Sequence, residues 1–552
     1  MPQEQETSRF IPQPPYGPPR RNVPPPPNAA APGAPMPGMP QDPMMPPPQR
    51  RRALSWKERV MGRYGMGMHT TLQRGELTMP DWLVGKPMLA FFVAFIVCSA
   101  AFGHAMPWRL ALMSGLSLLL FFYGVREMAA NWQRANERVF VKNLLIAGLL
   151  LRFVWLLYSY FVFNPEVYGK LDGFGDDNGW YLDFAQGIAR WLKGDIQGSF
   201  SLLMKSYAAA IDDTGYPFLL AVEYLLTFES SDVFFPLLVK SIMNAYCAIS
   251  IYHIAKRHFG VGTARMAALF VMLNPCMLFW CTCMLKEAEM VFLCCLSIDM
   301  IDSTLSAGKK LTFSGLLPGV IVGSLLFFFR TALALVLFLA VFAHIVFASH
   351  RVMSNGKKII AGILVGATLF LGLGDRMRSQ SEKLLETVQS GQQKVNMEWR
   401  AERKGGNSFA KYAGAAVFAP LIFTIPFPTI NEANEDQQML MEQSGGYFIK
   451  NILSFFVILV MILFLASGEW RKHVFIIAYT VGYLMVLVLS EFAQSGRFHM
   501  PIMPMLMLFA AYGVQIAKGN KRLQMGFNVV LLLEILVCLA WNWFKLKGRG
   551  MI

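Results

Sequence analysis

Apolar runs of about 17 to 22 residues recur along this chain, separated by short polar connectors and by two long ones. A run of that length forms a helix that crosses a hydrocarbon layer of roughly 30 Å. Candidate spans fall at 87–105, 107–125, 143–163, 233–254, 263–283, 287–303, 313–329, 331–348, 359–374, 449–466, 474–490, 500–517 and 524–544. The pattern predicts an all-α polytopic membrane protein, with a bundle of about 11–13 transmembrane helices occupying residues 86–544.

The two long polar segments, 164–232 and 375–448, read differently from connectors. In the first, GWYLDFAQGIARWLKGD places Trp180, Phe184, Ile188, Trp191 and Leu192 on one side and Asp183, Gln186, Arg190 and Lys193 on the other. That spacing predicts an amphipathic helix lying flat at headgroup level. GYPFLLAVEYLLTF, from Gly215 to Phe228, is short for a span and carries Glu223, so it reads as an interfacial or re-entrant element. In the second segment, a charged, helix-prone stretch leads into AAVFAPLIFTIPFPTI, whose prolines argue against a spanning helix. It reads as a lid or acceptor platform.

Composition agrees with the pattern: 55% of residues are hydrophobic and 15% charged. The formal net charge of +15 does not point to nucleic acid, because most Lys and Arg sit in connectors between apolar runs. With the N-terminus in the cytoplasm, the basic connectors REMAANWQRANERVFVK, AKRHFG, SAGKK, HRVMSNGKK, GEWRKH and AKGNKR all fall on the cytoplasmic side. Segments 164–232 and 375–448 then lie on the opposite face. One basic end, KLKGRG, falls on that outer face and conflicts with the rule. Residues 1–85 form a cytoplasmic tail, first Pro-rich and disordered in character, then basic in RRRALSWKERVMGRYGMG. No cleavable signal peptide is visible in it. The tail is either passive or read by a cytoplasmic partner that binds Pro-rich peptides. All eight cysteines lie in apolar runs, where thiols act as small hydrophobes, so no structural disulfide or zinc site is expected.

Chemistry concentrates in a few places. GFGDDNGWYLDFA carries Asp176 and Asp177, with Asn178 as the expected N-cap of the amphipathic helix. Carboxylates at a lipid–water boundary can take the proton of an attacking hydroxyl or hold a divalent cation, Mg²⁺ or Mn²⁺, against a phosphate. The competing reading is a solvated capping turn. On the same predicted face lie Lys286 and Glu287 in CMLKEAEM, Arg330 in the break of LLFFFRTALALV, and Arg497 and His499 in SGRFHMPIMP. Ionisable groups at the membrane boundary are expensive and usually serve a pathway, a pair or a ligand. As a set, Lys286, Arg330, Arg497 and His499 form a candidate anion pocket.

DDNGWYLDFA, GYPFLLAVEYLL, LLVKSIMNAYCAISIYHIAKRHFG, ARMAALFVMLNPCMLFWCTCMLKE and SGRFHMPIMPMLMLFAAYGV together resemble the GT-C superfamily of polytopic glycosyltransferases. Protein O-mannosyltransferases and the enzymes that add aminoarabinose to lipid A belong to it. The resemblance covers about residues 143–350 and 490–517. It implies a polyprenyl-phosphate sugar donor, inverting transfer on the non-cytoplasmic face, and residence in a bacterial inner membrane. On this resemblance Asp176 or Asp177 is the base or metal-linked activator; Lys286, Arg330, Arg497 and His499 bind the donor phosphate; Asn178, Tyr181, Tyr216 and Glu287 position substrate. The acceptor is a lipid, a glycan or a protein. The chain departs from the family in its Lys286–Glu287 pair and in lacking a C-terminal soluble domain. Two alternatives stay open: a polysaccharide polymerase or O-antigen ligase relying on Arg376, Arg378, Arg400 and Arg403, or a lipid-linked glycan transporter with charges along a path through the membrane.

Overall fold

A computed structural model describes residues 79–173, 177–230, 232–306, 313–347, 398, 401–402, 407–409, 419–432, 441–490 and 493–552. The Pro-rich tail, the basic block after it, Asp176, the candidate span 359–374 and the four arginines of the polymerase reading lie outside these residues. The chain is an all-helical, multi-pass membrane protein. Among the described residues, seven helices are long and apolar enough to cross a membrane.

The helices run α1 Gly85–Phe102, α2 Trp108–Trp132, α3 Glu137–Tyr158, α4 Asp177–Lys193, α5 Phe200–Ser206, α6 Gly215–Leu226 and α7 Phe234–Met272. After them come α8 Pro275–Trp280, α9 Glu287–Leu305, α10 Phe313–Leu325 and α11 Thr331–Phe347. The chain closes with α12 Ser444–Ser467, α13 Val474–Leu489, α14 Gly496–His499, α15 Met503–Ala517 and α16 Lys521–Lys547. At the centre α7 packs on α3, α9 and α15, and α15 packs on α12. Around this core α16 lies against α1 and turns Met525, Val529, Leu532, Leu533 and Leu536 outward. An apolar outer surface of that kind is what a helix shows to lipid.

The expected span 233–254 and the first part of 263–283 form one helical run, Phe234–Met272, that doubles back at Gly260, whose φ of 83° no β-carbon tolerates well; the rest of the second span leaves that helix at Leu273 and continues as α8 and a turn. Arg152, in the middle of α3, shows the reversal. Its Nε donates to Asn244 Oδ1 at 2.8 Å and its Nη1 to the Met272 carbonyl at 3.3 Å, so residues on both sides of Gly260 stand at one height. Lys256 and Arg265 meet the two sides of the α2–α3 turn through Glu137 and the Ala135 carbonyl.

One cation of the basic end KLKGRG is taken up by the fold. Asn542 Oδ1 accepts from the Ile430 and Asn431 amides at 2.9 and 3.0 Å, and Lys545 Nζ donates to Thr429 Oγ1 at 2.7 Å. The end of α16 therefore stands beside segment 419–432, which itself meets the end of α1 where the Glu432 amide donates to the His104 carbonyl at 2.7 Å. Lys545 is buried and bound to protein here, whereas Lys547 is exposed. As its prolines require, 419–432 is turn and extended chain, with Ile422, Ile425 and Ile430 buried.

Helix α4 is amphipathic as expected, with Tyr181, Phe184, Ile188 and Ala189 buried and Asp183, Arg190 and Lys193 exposed. Two expectations fail. Leu192 faces outward, and Asn178 is not the N-cap: the helix begins at Asp177, and Asn178 is a buried residue of its first turn. Helix α6 packs along α4, and its 12 residues are too short to span.

Candidate functional site

The loop before α4 is tied to the turn between α8 and α9. The Asp172 carbonyl accepts from the Met284 amide at 3.0 Å and from Asn178 Nδ2 at 3.2 Å. Gly173 has φ of 76°, and a β-carbon there would stand 2.9 Å from the Thr282 carbonyl oxygen, so glycine is needed both for the dihedral and for the approach. Through these contacts Asn178 holds the start of α4 against residues 282–284. Its amide serves the protein rather than a substrate.

Asp177 then reaches Arg497, 320 residues away in the chain, with Nη1 to Oδ2 at 2.9 Å. The same guanidinium donates through Nε to Glu287 Oε1 at 2.5 Å. The two carboxylates differ sharply in environment. The Asp177 side chain is 54% exposed, and the Glu287 side chain is fully buried. Glu287 is the first residue of α9, where the unpaired amides and the helix dipole favour an anion. Its Oε2 has no partner among the described residues.

Lys286 turns to the 211–213 turn, pairing with Asp213 and donating to the Asp212 carbonyl at 3.4 Å. Two residues on, Gly215 lies against the Phe329 ring. That contact brings Arg330 to the cluster from the break between α10 and α11. The Arg330 guanidinium stacks 4.2 Å above the Phe498 ring and donates to the Tyr483 hydroxyl at 3.4 Å. Tyr483 donates in turn to the Phe498 carbonyl at 3.0 Å. Asp177, Lys286, Glu287, Arg330 and Arg497 thus converge from four places in the sequence. Among the described residues no carboxylate pairs with Arg330, whereas Lys286 and Arg497, expected as phosphate ligands, already hold acid partners. Burial explains the pairing, since an uncompensated cation at these positions would be costly.

His499 does not join the site. It is fully buried, with Nε2 facing the Ala493 carbonyl at 2.7 Å and Nδ1 facing Lys450 Nζ at 3.0 Å, so both ring nitrogens serve the fold. Tyr216 is likewise fully buried. Its hydroxyl accepts from Lys240 Nζ at 3.2 Å, and its ring meets that of Tyr181 edge-on at 5.1 Å. It supports Tyr181 from behind. Burial first, and then the nearby Glu287 carboxylate, raise the Tyr181 phenol above its ordinary range, so it stays a neutral donor beside the acid cluster.

The sequence reading missed Asp213, Lys240, Glu289, Tyr483 and Phe498. Lys240 is buried, pairs with Glu289 at 3.0 Å and also donates to the Leu285 carbonyl, which fixes the turn carrying Lys286 and Glu287. A lysine inside the apolar run VKSIMNAY was the available signal.

Among the described residues no group of three or more His, Cys, Asp or Glu side chains is placed to hold a metal ion. Of the expected metal-holding pair, Asp176 lies outside the described residues and Asp177 is paired with Arg497. Next to the cluster opens an apolar cavity of about 610 Å³ lined by Phe218, Val222, Phe292, Leu325, Phe328 and Phe329, among others. Phe218, Leu325 and Phe328 are also exposed on the outside of the bundle, so the cavity faces lipid. No family model, no curated protein and no solved structure matches the chain.

Proposed function

We propose that the protein is a membrane glycosyltransferase that moves a sugar from a polyprenyl-phosphate donor to a hydroxyl acceptor with inversion, on the non-cytoplasmic side of a bacterial inner membrane. The observation that carries the reading is the bridge from half-exposed Asp177 through Arg497 to buried Glu287, set beside Arg330. Asp177 is open to an incoming acceptor and is held in one orientation by a guanidinium that Glu287 anchors. Arg330 is the cation available for the donor phosphate. The lipid-facing cavity next to Phe329 has the apolar lining a polyprenyl chain needs, and its volume lies in the range of about 300–1,000 Å³ usual for ligand pockets.

In this mechanism the acceptor oxygen attacks the anomeric carbon from the side away from the phosphate, and its proton passes to Asp177. The bond from the anomeric carbon to the phosphate oxygen breaks, and the phosphate leaves with the electron pair toward Arg330. Lys286 adds a second positive charge if Asp213 yields it. The chain's own carboxylate and cations account for each proton and charge, and no step runs through a metal ion.

The test is transfer from a polyprenyl-phosphate sugar in proteoliposomes. Asp177→Asn should lower the rate about 10²–10⁴-fold, the contribution of a general base, while the protein still inserts and folds. An Asp177→Asn protein that transfers at the full rate refutes the assignment.

A further inference from the structure

Helix α3 begins beside an open groove of about 910 Å³ that it shares with α7, with Glu137, Arg138, Val141, Lys142, Leu145 and His253 in its lining. The Asp177 cluster stands toward the other end of the same helix, where Trp155 Nε1 donates to Thr282 Oγ1 at 3.2 Å. The 22 residues of α3 extend over roughly 33 Å, so groove and cluster belong to opposite faces of the membrane.

The acids at the groove are already held. Glu137 pairs with Lys256 at 2.5 Å, and Asp299, which His253 Nδ1 meets at 3.2 Å, pairs with Arg257 at 2.6 Å. Arg138 and Lys142 are exposed and have no acid partner among the described residues. They stand one turn apart on α3, where like charges repel, and Arg138 lies in the first turn, where the helix dipole also opposes a cation. An anion between the two would relieve both penalties. Farther along the same face the character changes. Ile146 and Leu150 continue the spacing of Arg138 and Lys142 and are exposed, while Val141 and Leu145 line the groove beside them. Two free cations therefore sit at the head of an apolar stripe.

We propose that this groove binds an anionic phospholipid. Its phosphate lies between the Arg138 guanidinium and the Lys142 ammonium, and one acyl chain follows Val141, Leu145 and Ile146 toward the middle of the membrane. A zwitterionic lipid offers the same chain, but its own ammonium competes with the two cations for the phosphate. A soluble phosphate would meet the cations and make no use of the apolar stripe. The site is independent of the transfer chemistry at Asp177.

The full chain in phosphatidylcholine nanodiscs, doped with phosphatidylglycerol or phosphatidylcholine carrying a diazirine on one acyl chain, tests the proposal. Label recovered on residues 141–150 should be about thirtyfold greater from the glycerol-headed lipid, as two cations at a membrane surface give. Arg138→Gln with Lys142→Gln, both exposed and so without a role in the core, should make the two lipids label equally. Lys521→Gln with Arg522→Gln removes the same charge from the start of α16, where adjacent residues point apart, and should leave the preference intact. Equal labelling in the wild type, or a preference lost as fully in the α16 variant, overturns the proposal in favour of a diffuse basic surface. Inorganic phosphate should displace the lipid no better than sodium chloride of the same ionic strength; if it does so, the groove is a site for soluble anions and the proposal fails.

Discussion

Arg497 joins one exposed and one buried carboxylate, and the two halves of that bridge should differ greatly in energy. Arg497→Met leaves Glu287, whose side chain is fully buried, without its cation. Stranding one partner of a buried pair costs about 3–5 kcal/mol. Asp177→Asn breaks the other half, where the acid is 54% exposed, and such pairs contribute only about 0–1 kcal/mol. Glu287→Gln keeps an acceptor for Arg497 but removes the charge that needs compensation. In that background Arg497→Met should therefore cost about 2–3 kcal/mol less than it does in the wild type, a coupling that a double-mutant cycle reads directly. The assay is the unfolding midpoint of the purified protein in mixed micelles titrated with denaturing detergent. Additive single and double mutants, or an Asp177→Asn protein as unstable as Arg497→Met, would refute the reasoning. The result also bears on transfer assays, because a stable Asp177→Asn protein means that lost activity reflects chemistry rather than unfolding.

Two further predictions concern the frame of the site. Burial and, after it, the Glu289 carboxylate push Glu223 on α6 up to about 7, with Lys240 opposing. A carboxyl raised on folding binds its proton more tightly in the native state, so stability should fall as pH rises from about 4.5 to about 7 and then level off. Glu223→Gln should flatten that slope and stabilise the protein by up to about 3 kcal/mol above pH 7, measured as the midpoint against pH; an unchanged slope discards the assignment. Gly496→Ala would drive a β-carbon into the Tyr447 hydroxyl. Overpacking there should cost about 1–3 kcal/mol and shift Arg497, so the variant should lose both stability and transfer, whereas the same loss of stability with full transfer would show that Arg497 tolerates displacement.

By itself the sequence determined the class of protein. Runs of apolar residues long enough to span, an amphipathic segment at 180–193, and prolines in 419–432 each dictate a local outcome through backbone hydrogen bonding and burial, and each is read along one dimension. The same reading collected Asp177, Lys286, Arg330 and Arg497 on one face, because charges interrupting apolar runs are conspicuous there. Tertiary structure decided which of them meet. That Arg497 binds Asp177 and Glu287, that Lys286 is taken by Asp213, and that His499 turns inward to Lys450 depend on the reversal at Gly260 and on helices far apart in sequence packing side by side. Lys240 and Glu289 stayed hidden for the same reason. Inside a spanning helix a single charge tells only that a partner must exist, and the partner's identity is set by the rotation and height of a neighbouring helix, which hydropathy does not encode.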